Sequence, residues 1–254
     1  MRRWEIGQAQ SIGGRREQQD RGEAFVLDDA RMCLLVVADG MGGRAGGREA
    51  AVAVIACARV MMQQHADARV IDGPALMRDI ALSGHQTIRA MTDDPDSGPR
   101  ATITAFFANG NEAHWVSVGD SRLYRFRGHE LVERTKDQSL VQLLVDMGKI
   151  DEEEALEHPD RSVITSSLGG YDAPKLVTGE ATVRHGDSIV LCTDGLWSHV
   201  EPQEMVDAAM ADDLDAAADA LVATAEGRAG ATSDNVTLVM ARIRRRDTAW
   251  PWSI

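Results

Sequence analysis

The stretch Cys33-Leu34-Leu35-Val36-Val37-Ala38-Asp39-Gly40 is an unbroken apolar run that stops at an aspartate and a glycine. Short runs of this kind, rich in β-branched residues and bounded by Gly, Asp or Asn, are typical of buried β-strands. The same arrangement recurs at residues 115–120 and 189–195 and, in reverse order, at residues 234–240. Four predicted strands that each carry an aspartate at one end therefore decide how the rest of the chain is interpreted.

The aspartates at these strand ends predict a metal site. If the fourth strand runs antiparallel to the other three, we expect all four carboxylates to meet at one edge of a sheet. Clustered carboxylates repel one another unless cations lie between them, and hard oxygen ligands suit Mg²⁺ or Mn²⁺.

Composition allows one large α/β domain or two small ones, because the chain has 254 residues and is 44% hydrophobic. Forty acidic against 27 basic residues give a formal charge of −13, which argues against a nucleic-acid partner. The strand-end aspartates and Asp20 account for part of that charge. Two divalent ions bound among Asp20, Asp39, Asp194 and Asp234 would bring the total to about −9.

The sequence predicts a cytoplasmic protein that does not enter a membrane. No stretch approaches the roughly eighteen consecutive apolar residues of a membrane span. The charged start at residues 1–5 lacks the apolar region of a secretion signal. Cys33, Cys57 and Cys192 each lie in an apolar run without close spacing, which indicates buried, reduced thiols.

Hydrophobic periodicity predicts strands that alternate with pairs of helices. The predicted strands cover residues 4–12, 23–38, 101–109, 112–119, 122–127, 176–183, 187–192 and 235–243. The predicted helices cover residues 48–64, 73–91, 201–210 and 213–226. Residues 136–159 are acidic and partly helical, and we expect them to form a surface insertion.

This order of elements predicts an α+β fold, with two stacked antiparallel sheets and a helix pair on each outer face. A doubly wound parallel sheet is the alternative, but the turn at residues 109–111 favours antiparallel neighbours. We expect a single domain over residues 1–243, with a flap at about 136–160 and a solvated tail at 244–254.

Several short motifs lie along the chain in a fixed order. They are RREQQD at 15–20, DGMGG at 39–43, VGDSR at 118–122, TKDQS at 135–139, HPDR at 158–161, CTDGL at 192–196 and SDNVT at 233–237. In this order and spacing they resemble the motifs of the metal-dependent serine/threonine protein phosphatases, the PPM family or protein phosphatase type 2C. The resemblance covers residues from about 5 to 243 and is closest to bacterial members.

The resemblance implies a four-layer α-β-β-α sandwich that hydrolyses phosphoserine and phosphothreonine with Mn²⁺ or Mg²⁺. By position, two core ions would be held by four carboxylates and by the carbonyl oxygen of Gly40. Asp120, with help from Asp194, would hold a possible third ion. The four core carboxylates are those of Asp20, Asp39, Asp194 and Asp234.

The implied reaction is attack of metal-activated water on phosphorus, without a phosphoenzyme. Arg15 would bind the substrate phosphate, because a guanidinium offers a planar fork that grips two oxygens at once. Arg16 is the alternative, and only the spacing to Asp20 favours Arg15.

Two positions depart from the family pattern. Gln19 stands where the family often has a glutamate that touches metal through water, so the outer shell has one negative charge fewer. Met41 stands where many eukaryotic members have a histidine, although bacterial members commonly have methionine there. The general acid is therefore not identified by the resemblance.

The sequence leaves two alternatives to an active phosphatase. A phosphatase-like binding module that has lost turnover is one, and Gln19 is the feature that leaves it open. An ATPase of the histidine-kinase type is the other, because residues 39–43 resemble its Asp-x-Gly-x-Gly box. Residues 1–38 contain no Asn to hold Mg²⁺ in that way, which argues against it. The expected partners are phosphorylated proteins and an opposing serine/threonine kinase, and we expect a monomer.

Overall fold

The structure is a computed structural model that describes residues 2–27, 31–42, 46–65, 68, 70–94 and 97–245. The strands within these ranges are β1 (Arg2–Ser11), β2 (Asp20–Leu27), β3 (Met32–Met41), β4 (Arg100–Ala101), β5 (Ile103–Asn109), β6 (Glu112–Val118), β7 (Arg122–Arg127), β8 (Glu130–Arg134), β9 (Val177–Thr182), β10 (Asp187–Cys192) and β11 (Val236–Arg245). The α-helices are α1 (Gly47–Gln64), α2 (Gly73–Arg89), α3 (Leu140–Asp146), α4 (Glu152–Glu157), α5 (Asp194–Trp197), α6 (Pro202–Ala209) and α7 (Leu214–Ala229).

The strands form two sheets. One has the order β1-β11-β10-β7-β8, and the other has the order β2-β3-β5-β6-β9 with β4 paired to β3. Every pairing between the described strands is antiparallel. The doubly wound alternative is therefore wrong, and the predicted antiparallel sheets are confirmed.

Strand β3 shows why the deciding stretch is apolar on both of its faces. Successive side chains of a strand point to opposite faces of the sheet. Leu34 and Val36 pack in the core beneath α1 and α2, whereas Leu35 and Val37 pack in the core between the two sheets. A strand covered on both faces needs a continuous apolar run instead of a strict alternation.

Helix pairs cover the outer face of each sheet. Helices α1 and α2 pack on the six-stranded sheet, and α6 and α7 pack on the five-stranded sheet. A third apolar core fills the space between the sheets and includes Trp4 and Phe106. The predicted four-layer α-β-β-α sandwich is confirmed.

The structure corrects several predicted boundaries. The predicted strand region at 23–38 consists of two paired strands, β2 and β3, and the pairing extends to Asp20 and Asp39. The predicted boundaries fall short of these strand ends because Asp and Gly are poor strand formers in isolation. The short edge strand β8 and the one-turn helix α5 were not predicted. The last strand continues to Arg245, and residues 246–254 of the predicted tail lie outside the described residues.

Residues 136–159 contain the helices α3 and α4, as predicted for a partly helical insertion. Helix α4 begins with a capping box, in which Asp151 accepts a hydrogen bond from the Glu154 amide and Glu154 accepts one from the Asp151 amide. In the described part of the chain, no helix combines the length and the apolar character needed to cross a bilayer.

Candidate metal centre

Five aspartates lie around one end of the sandwich. Asp20 and Asp39 face each other in register across the β2–β3 pair. Asp120 follows β6, Asp194 opens α5 just beyond β10, and Asp234 precedes β11.

The expectation that the four strand-end carboxylates share one sheet edge is wrong. Asp39 comes from the six-stranded sheet, Asp194 and Asp234 come from the five-stranded sheet, and Asp120 lies where the chain crosses from β6 of the first to β7 of the second. Strand direction determines the end of the sandwich at which a residue lies, but it carries no information on which sheet the strand joins. The site is therefore built across two stacked sheets.

A cavity of about 460 Å³ opens among these residues. Its lining comprises Arg15, Arg16, Glu17, Gln19, Asp39, Gly40, Met41, Gly42, Asp120, Ser162, Ile164, Asp194, Asp234 and Asn235. Asp20 does not line the cavity, because its side chain is almost completely buried. The structure thus brings together every residue singled out in the sequence, with Asp20 set deeper than the others.

Burial and mutual repulsion raise the pKa of four of these carboxyl groups. The pKa of Asp20 rises to about 7, first through burial and then through the charges of Asp194 and Asp234. The pKa of Asp194 rises to about 6, through burial and the charge of Asp234. Burial and neighbouring carboxylates also hold the pKa of Asp39 and of Asp120 well above the ordinary range. This crowding of like charges indicates a site built to receive cations.

Thr193 supports Asp20 from the opposite sheet. Its hydroxyl donates a 2.7 Å hydrogen bond to Asp20 Oδ2 and accepts one from the Thr237 amide at 3.0 Å. Thr193 is buried. A threonine at the end of an apolar run is an ordinary strand residue, so no local pattern in the sequence indicates this role.

Asn235 organises the loop that carries Arg15. Its side-chain oxygen accepts a 2.7 Å hydrogen bond from the Gln19 amide, and its side-chain nitrogen donates to the carbonyl oxygens of Ile12 and Glu17 at 2.9 and 3.0 Å. The loop between β1 and β2 is thereby anchored to the start of β11. Asn235 was also missed, since its partners lie more than two hundred residues away.

Arg15 carries the guanidinium that the sequence placed near the site. Its Nη2 lies 2.6 Å from Oδ2 of Asp234, and more than half of the side chain is exposed. Arg16 lines the same cavity. The ion pair with Asp234 gives Arg15 a defined position beside the carboxylates.

Gly40 must be a glycine because its backbone packs against that of Gly47. A Cβ atom added at Gly40 would collide with the carbonyl oxygen of Gly47 and lie 2.8 Å from that of Gln19. The adjacent Asp39 is held by Thr102, whose hydroxyl accepts a hydrogen bond from the Asp39 amide at 2.9 Å and whose own amide donates to the Asp39 carbonyl at 2.8 Å.

Three more cavity residues were not predicted. Glu17 accepts a 3.3 Å hydrogen bond from the side chain of Gln19, so a carboxylate stands beside the position where the family often has glutamate. Ser162 and Ile164 lie just beyond the predicted flap and reach the cavity from that side. Neither has a local sequence pattern that would have indicated its role.

The donor set fits Mn²⁺ or Mg²⁺ by its chemistry, because it consists of carboxylate and carbonyl oxygens. Within the described ranges, no three acidic, histidine or cysteine side chains are already arranged to hold an ion. Two of the carboxylates have protein partners instead, since Asp20 accepts from Thr193 and Asp234 pairs with Arg15. We therefore infer the fit from the type of donor and from the crowding of negative charge.

Comparison with known proteins gives one family and several relatives. A family model described as Protein phosphatase 2C matches residues 8–229. The serine/threonine protein phosphatase PstP of Mycobacterium tuberculosis is 39% identical over 215 residues, which are 83% of this chain. The chain spans only 40% of the length of that relative. The protein phosphatase PhpP of Streptococcus pneumoniae is 29% identical over 248 residues, covering 96% of this chain and 99% of the relative.

Solved structures show the same architecture. A crystal structure of the catalytic domain of the serine/threonine protein phosphatase PstP in complex with two manganese ions matches with a TM-score of 0.81. The two sequences are 31% identical, and the match covers 96% of this chain and all of that one.

Proposed function

Because the chain belongs to the protein phosphatase 2C family, we propose that it is a Mn²⁺- or Mg²⁺-dependent phosphatase of phosphoserine and phosphothreonine in proteins. The observation that carries this proposal is that four aspartates line one cavity together with Arg15, and that a fifth, Asp20, lies buried beside Asp39. The similar solved structure of the PstP catalytic domain, which contains two manganese ions, supports the choice of metal.

Each side chain has an assigned task in this proposal. Asp20, Asp39, Asp194 and Asp234 hold two core ions, together with the carbonyl oxygen of Gly40. Asp120 and Asp194 hold a third. The repulsion that raises the pKa values of Asp20, Asp39, Asp120 and Asp194 would be relieved by cations lying between the carboxylates.

Bound divalent cations supply a water of lowered pKa as nucleophile and neutralise charge on the phosphoryl oxygens. Arg15 would bind the phosphate of the substrate. It is free to do so because its only close ionic partner among the described residues is the half-exposed Asp234. Exchanging this surface ion pair for a phosphate costs little, since exposed pairs contribute about 0–1 kcal/mol.

The reaction proceeds without a thiol phosphoenzyme. Cys33 and Cys192 are completely buried, and burial raises the pKa of both thiols. Cys57 lies on α1 and does not line the cavity. None of the three cysteines is therefore placed to act as the nucleophile.

The test is release of phosphate from a phosphothreonine peptide and from p-nitrophenyl phosphate, with Mn²⁺, with Mg²⁺ and with chelator. We expect turnover with either metal and none above buffer with chelator. Calorimetry of Mn²⁺ binding should be run on the same preparation. A protein that binds Mn²⁺ but shows no turnover at saturation would favour the binding-module alternative.

We further propose that the substrates are phosphorylated proteins and that a serine/threonine kinase opposes this protein in signalling. The names of the relatives support the substrate class. A cytoplasmic location and a monomeric state stay predictions of the sequence. Ultracentrifugation of the purified chain tests the second of these directly.

A further inference from the structure

One side chain connects α5 to the loop that carries Asp120, beside the candidate metal centre. Trp197 ends the one-turn helix α5, which begins at Asp194. Its indole Nε1 donates a 2.9 Å hydrogen bond to the main-chain carbonyl of Asp120. Asp120 lies in the crossover from β6 of the six-stranded sheet to β7 of the five-stranded sheet, and α5 follows β10, which pairs with β7. Trp197 therefore links the two aspartates assigned to the third ion.

The indole ring is itself held in place by Arg122. The guanidinium carbon of Arg122 lies 3.5 Å from the ring centroid, in a stacked cation–π contact. Nε and Nη2 of Arg122 each donate a 2.8 Å hydrogen bond to Asp137, and Nη1 donates to the Tyr124 hydroxyl at 3.1 Å. The Arg122 and Asp137 side chains are only 13% and 6% exposed. The buried Arg122 guanidinium is fixed by these three hydrogen bonds, and its contact with the indole ring therefore restricts rotation of the Trp197 side chain.

We propose that Trp197 is a positioning residue that fixes the separation between Asp120 and Asp194, and that Arg122, clamped by Asp137, holds its indole ring. The inference rests on the proposed function, because it assigns these two carboxylates to one ion. Metal sites require their ligands to be held within about 0.5 Å of the productive geometry. Pairing of β7 with β10 already brings the two aspartate-bearing segments close together. The indole hydrogen bond adds a direct tie between those segments and restricts how far the Asp120 carbonyl can move.

The loop that carries Asp120 has other anchors that keep it folded without Trp197. The Gly119 amide donates a 2.9 Å hydrogen bond to Gln138 Oε1, and the Gln138 amide donates a 2.8 Å hydrogen bond to the Gly119 carbonyl. Removal of the indole donor alone should therefore loosen the Asp120 carbonyl locally. We expect a change in metal affinity without loss of the fold.

The test is Trp197→Phe, which keeps an aromatic ring against Arg122 but removes the N–H donor. Calorimetric titration with Mn²⁺ should show the tight binding steps unchanged and the weakest step about threefold to tenfold weaker, as for one lost hydrogen bond. In an Asp120→Asn background, the same substitution should add no further weakening. A double-mutant cycle isolates the coupling in this way.

Trp4→Phe is the matched control. Trp4 is buried between the two sheets, near the start of β1 and away from the β1–β2 loop that carries Arg15. There it packs edge-on against Phe106. We expect this control to lower the melting temperature and to leave the Mn²⁺ titration unchanged.

Two different results would overturn the inference, and only the second would also overturn the proposed function. A Trp197→Phe protein with a lower melting temperature but a wild-type Mn²⁺ titration would show that Trp197 is merely structural, with the proposed function intact. A wild-type protein that neither binds Mn²⁺ nor releases phosphate would overturn the proposed function as well.

Discussion

Strand β10 has an aspartate near each end, and the surroundings of the two side chains are opposite in charge. Asp187, its first residue, is completely buried and accepts hydrogen bonds from Nε and Nη2 of Arg127 at 2.8 and 3.0 Å. Arg125 lies 3.9 Å away, and the Arg184 amide adds a further bond. Asp194, just beyond the other end of the strand, is surrounded instead by other aspartates.

This difference separates a structural charge from a functional one. A buried carboxylate that serves the fold has cations and amide donors supplied by its neighbours, because an unpaired buried charge is costly. At the other end of the sandwich, several carboxylates lie close together, and their charges raise one another's pKa values. Such an arrangement destabilises the fold unless a ligand compensates it, and it therefore indicates a binding site.

The largest expected effect is at the functional end. Asp39→Asn should reduce kcat on a phosphothreonine peptide by about 10³-fold or more, because a core ligand contributes several kcal/mol to the transition state. Asp194→Asn should act in the same way. Steady-state assays at saturating Mn²⁺ measure the effect. Full activity in either variant would contradict the assignment.

Asp187→Asn should give the opposite result. The guanidinium groups of Arg125 and Arg127 would lose their carboxylate, and we expect the free energy of unfolding to fall by about 3 kcal/mol. Urea denaturation in the presence of chelator measures this change. The kcat of the folded fraction should equal that of the wild type. A selective loss of kcat would contradict the assignment of Asp187 as a structural residue and Asp194 as a functional one.

Arg15→Ala should raise KM for the phosphopeptide about tenfold, because a charged hydrogen bond to phosphate contributes roughly 1.5–3 kcal/mol. We expect a smaller change in kcat, since the guanidinium grips the phosphate in both ground and transition states. Arg16→Ala is the matched control, as both side chains line the cavity. A raised KM in the Arg16 variant alone would transfer the role to Arg16.

The smallest expected effect is a dependence of stability on pH in the presence of chelator. The folded-state pKa values of Asp20 and Asp194, about 7 and about 6, lie above the ordinary value of 3.8 for an aspartate. Their protonated forms therefore stabilise the fold fully below about pH 4, and this contribution is lost as pH rises through about 6 to 7.

Melting temperatures with chelator should accordingly fall between about pH 5 and pH 8. Saturating Mn²⁺ should reduce or reverse this fall, because bound cations favour the ionised carboxylates and bind the native state only. Asp194→Asn should lessen the fall in chelator. A melting temperature with chelator that does not change over this range would show that the carboxylates are less crowded than the structure indicates.

The sequence alone determined the elements and the residue types of the site. Apolar runs, a tight turn and helical periodicity are local properties, and they correctly predicted β3, β10 and the antiparallel sheets. Each strand-end aspartate was visible for the same reason, since a charge that interrupts an apolar run is conspicuous. The fit of ordered motifs to a known family then supplied their roles.

Only the tertiary structure decided which sheet supplies each aspartate and what holds it. Thr193 under Asp20, Asn235 against the Arg15 loop and Trp197 across to Asp120 are contacts between segments 77 to 216 residues apart. Such contacts depend on how two sheets stack, and stacking is set by the packing of a whole core between them. No local pattern encodes that arrangement, because each of these residues is ordinary in its own stretch of chain.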